Sequence, residues 1–281
     1  MDKRKLLKKL KKQHRITKGV PKYIERMENY QKIYADFPEI KFLINNVIEA
    51  DRLISKNELP QDLPPLILAD NIQDKIFEYV NSKYAPNDPQ GDKLWNKLSD
   101  NLPKLDKDLR SFRDYLEAEY GMWAYISAPF IQDIAKYVDN KKGLEIMAGN
   151  GYISKGLRNL NKQIIATDSM EWIKENETGK HLLTQVEKID ALQAIEKYKN
   201  EIDYVIMCWS PDGVDIDAQV LNKLRSIDSE IELIVIGEKN GATNSKKFWT
   251  KAQFIENKQV IKLNQHHKPF DLIQDQLYLV K

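Results

Sequence analysis

The stretch "GLEIMAGNGYIS", Gly143 to Ser154, holds an acid, Glu145, four residues ahead of a Gly-x-Gly turn at Gly149 and Gly151. Glycines there let the backbone approach a ligand closely, and a helix opening on such a turn offers free N–H groups. Other groups able to handle a ligand follow at the ends of apolar runs. Asp168 closes "IIATD", Asp190 lies in "VEKIDALQAI", the loop "CWSPDG" follows "IDYVIM", and Glu238 follows "IELIVIG". Carboxylates so placed accept hydrogen bonds from hydroxyls or amines, or else cap the next helix or turn. A dinucleotide site would ask for a third small glycine at position 154, where the chain has Ser154, and would not ask for Glu145. Cys208 is the only cysteine, which excludes an intramolecular disulfide and a thiolate metal cluster. His266 and His267 are adjacent rather than at ligand spacing, so no metal site is expected.

The elements that must carry these groups divide the chain in two. From about Pro21 to Val138 the apolar spacing is helical, as in "YIERMENYQKIYADF", "PEIKFLINNVIEADRLI", "NIQDKIFEYVNSKY" and "LDKDLRSFRDYLEAEY". After Asn140 short apolar runs alternate with the amphipathic stretches "YISKGLRNL", "SMEWIKENE", "DALQAIEKYK" and "DAQVLNKLRSI". Runs apolar at nearly every position suit strands buried on both faces of a parallel sheet, so this half reads as doubly wound α/β. At the end, "KQVIKLNQ" and "DQLYLVK" are separated too briefly for a helical crossover and are expected to pair as an antiparallel hairpin. The expected organisation is a basic arm over 1–20, an all-α domain over 21–135 and an α/β domain over 136–281.

The glycine segment resembles the first motif of class I methyltransferases dependent on S-adenosylmethionine (SAM): an acid, three residues, then Gly-x-Gly. The resemblance implies a mostly parallel sheet with an antiparallel C-terminal strand, and SAM as the cofactor. It assigns Asp168 to the ribose hydroxyls and Asp190 to the adenine amino group, with Ala191 beside the ring. Its donor contacts further take in Glu145, Met147, Ala148, Gly149, Gly151, Tyr152, Ser169 and Cys208. The loop "CWSPDG" partly resembles the (Asn/Asp/Ser)-Pro-Pro-(aromatic) loop of amino-methylating enzymes. Ser210 and Pro211 match it, whereas Asp212 and Gly213 replace the second proline and the aromatic, which puts adenine methylation in doubt. A closer likeness, over roughly Tyr120 to Trp249, is to a little-characterised methyltransferase-like set. That set has a Trp-Pro loop after the fourth strand (Trp209, Ser210, Pro211) and a Gly-Glu-x-x-Gly turn after the fifth (Gly237, Glu238, Gly241).

On this basis Ser210, Pro211 and Glu238 are the candidate catalytic residues. Trp123, Tyr125, Trp209 and Asp212 are candidates for the lid or acceptor side. Glu238 also reads as a turn cap, and Trp123 and Tyr125 also read as core packing. The expected activity is methyl transfer from SAM to an unidentified acceptor, with RNA favoured over protein or small molecule. A SAM-binding protein without catalysis is the alternative, and a nicotinamide oxidoreductase is disfavoured by Ser154, Glu145 and the terminal hairpin.

Charge bears on the acceptor. Between Met1 and Arg26 eleven Lys and Arg stand against Asp2 and Glu25, a local +9 that leaves −7 for the rest of a chain of net charge +2. A basic arm on an acidic body suits a polyanion such as RNA, or is a solvated tail. No apolar run reaches the roughly 18 residues of a membrane helix. With no apolar run after its first charges, the chain reads as cytoplasmic.

Overall fold

The computed structural model describes residues 22–227 and 230–281, and the basic arm over 1–20 lies outside them. The first half is helical, as the spacing predicts. Helix α1 (Tyr23–Ile33) buries Tyr23, Met27 and Tyr30, one face at i, i+4 and i+7. Helix α2 (Pro38–Ile54) opens on Pro38, whose missing N–H costs nothing in the first turn. Helices α3 (Ile72–Lys83) and α4 (Pro89–Arg110) pack together, and Asp88 caps α4 by accepting from the Gln90 N–H at 2.8 Å. Helix α5 (Phe112–Tyr120) stops at Gly121, which takes the left-handed conformation. Helix α6 (Ala128–Val138) is capped by the Ser127 hydroxyl and leads into the sheet. None of the described helices is long and apolar enough to cross a membrane.

The second half interleaves β1 (Gly143–Ile146), α7 (Tyr152–Asn159), β2 (Ile164–Asp168), β3 (Glu187–Lys188), α8 (Ala191–Tyr198) and β4 (Tyr204–Cys208). It continues through α9 (Ile216–Arg225), β5 (Glu232–Gly237), α10 (Lys246–Lys251) and α11 (Lys258–Leu263) to β6 (Gln276–Val280). The six strands lie in the order β3-β2-β1-β4-β5-β6, all parallel except β6, which runs antiparallel to β5. This is the mostly parallel α/β sheet with an antiparallel last strand that the resemblance implies. Strand order reverses between β1 and β4, where the fold leaves a crevice for a ligand.

Alternation along the central strands sorts the core into two layers. Leu144, Ile146, Val205, Met207, Leu233 and Val235 pack with α8, α9 and α10. Tyr204, Ile206, Ile234 and Ile236 face the other way, against α6 and α7 and a core that runs on into the helical half.

Two expected elements are corrected. "KQVIKLNQ" is not a strand, so the terminal hairpin does not form. Asn257 accepts from the Gln259 and Val260 N–H groups and starts α11 instead. The outer edge of β6 is met by side chain and loop: Asn264 exchanges two hydrogen bonds with the Leu277 backbone, and Ile255 donates to Leu279. "SMEWIKENE" forms only a single 3₁₀ turn at Glu171–Lys174. Met170 ahead of it is left-handed and its N–H is held by Asp168, which breaks the helical path.

Candidate functional site

The Gly-x-Gly turn sits where β1 ends, and its glycines are needed. Gly149 and Gly151 have φ of +54° and +80°, values that L side chains rarely adopt. The turn is wired to β2: the Gly149 N–H donates to Asp168 Oδ2 at 2.8 Å, and the Met170 N–H donates to Oδ1 at 2.7 Å. Asp168 is thus almost buried at the junction of two strand ends, with one lone-pair direction used on each oxygen. Met147, just before the turn, is also forced to φ +54°.

Glu145 lies behind the turn rather than in front of it. It is fully buried and accepts from the Ser154 N–H at 2.9 Å and from the Ser154 hydroxyl. Burial pushes its carboxyl up to about 7, against the pull of both Ser154 hydrogen bonds. This pair explains the serine where a dinucleotide site would have glycine. Glu145 shapes the first turn of α7.

Asn150, between the two glycines, ties the turn to two other segments. Its amide donates to the carbonyls of Tyr120 (2.9 Å) and Glu177 (3.1 Å) and accepts from the Gly179 N–H at 2.8 Å. The Tyr152 hydroxyl also donates to the Tyr120 carbonyl, at 2.9 Å, so it is spent inside the core. The loop after β2 therefore folds across the turn. Thr178 places its methyl 3.1 Å from where a Gly149 side chain would begin, and its hydroxyl accepts from the Trp123 indole N–H at 2.9 Å. Trp123 keeps 36% of its surface exposed, and its ring is 6.3 Å from that of Trp209. Tyr125 does not join it, which corrects the lid assignment. It is buried, bonded to the Gln61 carbonyl at 2.7 Å and packed against Phe270.

The remaining acids divide by what holds them. Asp190 caps α8, its Oδ1 accepting from the Leu192 and Gln193 N–H groups at 3.0 Å each. Ala191 is buried behind it and Ser169 is half-buried beside Asp168. Glu238 is bound on both oxygens, by the Ala242 N–H at 2.7 Å and by the Gln274 N–H at 2.8 Å. A Cβ on Gly241 would fall 2.1 Å from Glu238 Oε2. The Gly-Glu-x-x-Gly spacing is thus a carboxylate folded back onto its own turn, where glycine makes room. Asp212 is exposed on its loop.

Beside this turn runs the loop after β4. Asn244 N–H donates to the Ser210 carbonyl at 2.8 Å, and Pro211 bridges to Thr243. Ser210 is 1% exposed, yet among the described residues its hydroxyl has no hydrogen-bond partner, nor has the Asn244 amide nitrogen. Burial pushes the Cys208 thiol well above its ordinary range, in keeping with its place at the end of β4.

Spacing did not reveal the group that props this rim. Arg113, 4% exposed, binds Asp271 with two nitrogens at 2.6 and 3.1 Å and the Trp123 carbonyl at 2.7 Å. Its guanidinium lies 4.9 Å from the Trp209 ring centre, and Asp275 takes the Trp209 indole N–H at 3.0 Å. The one available signal was an arginine in line with Leu116 and Tyr120 on the buried face of α5.

No protein-family model matches the chain, and no curated protein does. Among solved structures it is similar to a magnesium protoporphyrin IX methyltransferase from Synechocystis with bound SAM. Identity is 11% over 60% of this chain and 94% of that one, with a TM-score of 0.35. It is similar to TrmK from M. capricolum in complex with S-adenosyl-homocysteine, at 19% identity over 54% and 66% of the two chains and a TM-score of 0.30. For a SAM-dependent methyltransferase from Archaeoglobus fulgidus the values are 15%, 54%, 94% and 0.31. Strand order and strand direction carry the conclusion on their own: the chain has a Rossmann-like, mostly parallel six-stranded sheet closed by an antiparallel strand.

Proposed function

We propose that the protein is a SAM-dependent methyltransferase with its donor site on the rim formed by the ends of β1, β2 and β3, and its transfer site in the loop after β4. The observation that carries this reading is the bond between Gly149 and Asp168. It joins the glycine turn to an acid that can hold a diol, next to the switch point of the sheet.

The residues present fit the donor. Asp168 keeps one acceptor direction on each oxygen for the two ribose hydroxyls, and Asp190 keeps Oδ2 beside Ala191 for an amino group. The bound donor would supply an electrophilic methyl on a sulfonium. The chain's part is alignment, which alone can account for a large share of the rate. Ser210 supplies a buried hydroxyl with unspent hydrogen-bonding capacity in the loop after β4, the neighbour of β1. Pro211 stiffens that loop, and Glu238 holds the facing turn in place. Trp123 and Thr178 form the outer wall. The acceptor is unidentified, and the basic arm favours RNA.

A SAM-binding protein without transfer is a second reading, favoured by the way Glu238 folds back onto its own turn, each of its oxygens already accepting a backbone N–H. A nicotinamide site is disfavoured because Ser154 is committed to Glu145.

Asp168→Ala is expected to weaken SAM binding by about 1–3 kcal/mol through loss of charge-assisted hydrogen bonds. Asp168→Asn, which can still accept from Gly149, should lose less. Calorimetry with SAM and with NADH tests the donor, and binding of NADH alone sinks the proposal. Transfer of a labelled methyl to total cell RNA and protein tests catalysis, and intact SAM binding without transfer selects the second reading.

A further inference from the structure

Residues 169–186 connect β2 to β3 and hold a single 3₁₀ turn, at Glu171–Lys174. Of residues 171–185 only Gly179 is buried, and the apolar side chains of Ile173 and Leu182 are exposed. A segment with so little apolar burial opens easily. Its path nevertheless lies across the glycine turn. Thr178 sets its methyl 3.1 Å from the place of a Gly149 Cβ. Thr184 and Val186 set theirs 3.0 and 3.2 Å from the place of a Gly151 Cβ. The space left by two missing side chains is filled by this flap.

Asn150 and Trp123 latch it. Asn150 Nδ2 donates to the Glu177 carbonyl at 3.1 Å, and its Oδ1 accepts from the N–H groups of Gly179 (2.8 Å) and His181 (3.3 Å). The Asn150 carbonyl accepts from the Leu183 N–H at 2.9 Å. Trp123 adds the bond from its indole N–H to the Thr178 hydroxyl at 2.9 Å. The sheet order puts β1 between β2 and β4. Trp123 reaches the loop after β2 through Thr178 and the loop after β4 through the Trp209 ring, so it lies across the end of β1. The backbone beneath Trp123 is fixed. Arg113 holds its carbonyl, and a Cβ on Gly121 would fall 2.7 Å from both Asn150 Nδ2 and the Glu177 carbonyl oxygen.

We propose that residues 169–186 form a flap latched shut over the donor site, and that SAM and the closed flap exclude each other. The ligand in this inference rests on the methyltransferase reading, whereas the latch is tested without SAM. A donor held by Asp168 must lie against the Gly149 turn, and Thr178 stands on that turn. Binding therefore draws on the open fraction alone, and the apparent Kd is the intrinsic one divided by that fraction. Met170, strained at φ +60° where the flap leaves β2, is the hinge.

Hydrogen exchange of the full-length protein reads the latch directly, because the amides of Gly179, His181 and Leu183 are bonded to Asn150. Trp123→Phe keeps a ring and removes the indole N–H, and Thr178→Ala removes its acceptor. Each should speed exchange at these amides by about threefold to tenfold, as expected for one lost hydrogen bond. The double variant should go little further than either single one, since both remove the same bond. Thr178→Ser keeps the hydroxyl and should exchange like the wild type. Saturating SAM should also speed exchange at the same amides, and Trp123→Phe and Thr178→Ala should each bind SAM about threefold to tenfold more tightly. Wild-type exchange in both variants would overturn the latch. Slower exchange with SAM bound, or unchanged SAM affinity in both variants, would overturn the exclusion. Faster exchange in the variants of a protein that binds no SAM upholds the latch and removes the donor assignment.

Discussion

Replacing Arg113 with methionine is expected to cost about 3–5 kcal/mol of unfolding free energy, the range for leaving a buried charge without its partner. The guanidinium is held on three sides by Asp271, Asp275 and the Trp123 carbonyl, and lies between the rings of Trp209 and Phe270. Burial works to lower its pKa, and the two carboxylates more than offset this, so it stays charged. Methionine keeps much of the packing and removes the charge, which strands Asp271 and Asp275 in a nearly dry site. Adding Asp271→Asn to Arg113→Met should restore part of the loss, because one of the orphaned charges goes with it. Urea unfolding of the two single variants and the double variant measures this, and a loss under about 1 kcal/mol in Arg113→Met would refute the account.

A second large effect comes from Glu145. Its carboxyl is held at about 7, against an ordinary 4.5, by burial. The neutral form is therefore the one that folding favours. The associated stability is fully present below about pH 4.5 and is lost as pH rises through about 7. The shift corresponds to about 3 kcal/mol between those limits. Glu117 adds to the same fall, raised to about 7 by burial first and then by Asp114. His267 works the other way, since burial lowers its pKa and its contribution grows as pH rises from acid. Glu145→Gln should accordingly flatten the decline in stability between pH 5 and 8, and Glu117→Gln should flatten what remains. Urea midpoints at both pH values provide the readout. An unchanged decline in Glu145→Gln would mean that the carboxyl is already ionised in the folded protein.

What could be read in advance followed from local pattern. "IDYVIMC" and "IELIVIG" are apolar at almost every position and form two adjacent interior strands, β4 and β5, because a residue on either face of such a strand is buried. Asp168 was marked by its place after "IIAT", and the structure puts it in contact with Gly149. Patterns that compete at short range were harder. "KQVIKL" has enough alternation for a strand, but Asn257 caps it and Ile261 is left in solvent, so the helix wins. Tyr125 could not be told from Trp123 by type or position, and only the partner of each, Gln61 or Thr178, separates them. The Arg113 network was out of reach because its members come from α5 and from the approach to β6, brought together only by the finished fold. The Gly-Glu-x-x-Gly spacing was seen without its cause, which is the room Gly241 leaves for the Glu238 carboxylate.

An open sheet has two edges, and each is a template on which a second chain can add a strand. In this protein neither edge offers much of one. β3 is two residues long, and the outer side of β6 is already engaged by Asn264, by Ile255 and by the bond from Lys281 to Gln253. The helix that replaced the expected hairpin strand thus has a colloidal consequence. A parallel sheet assembles slowly from distant segments, and during that time its edges are exposed to other copies. Once Asn264 is seated on Leu277 the later of these edges is closed, and the folded protein should tolerate crowding without stacking edge to edge.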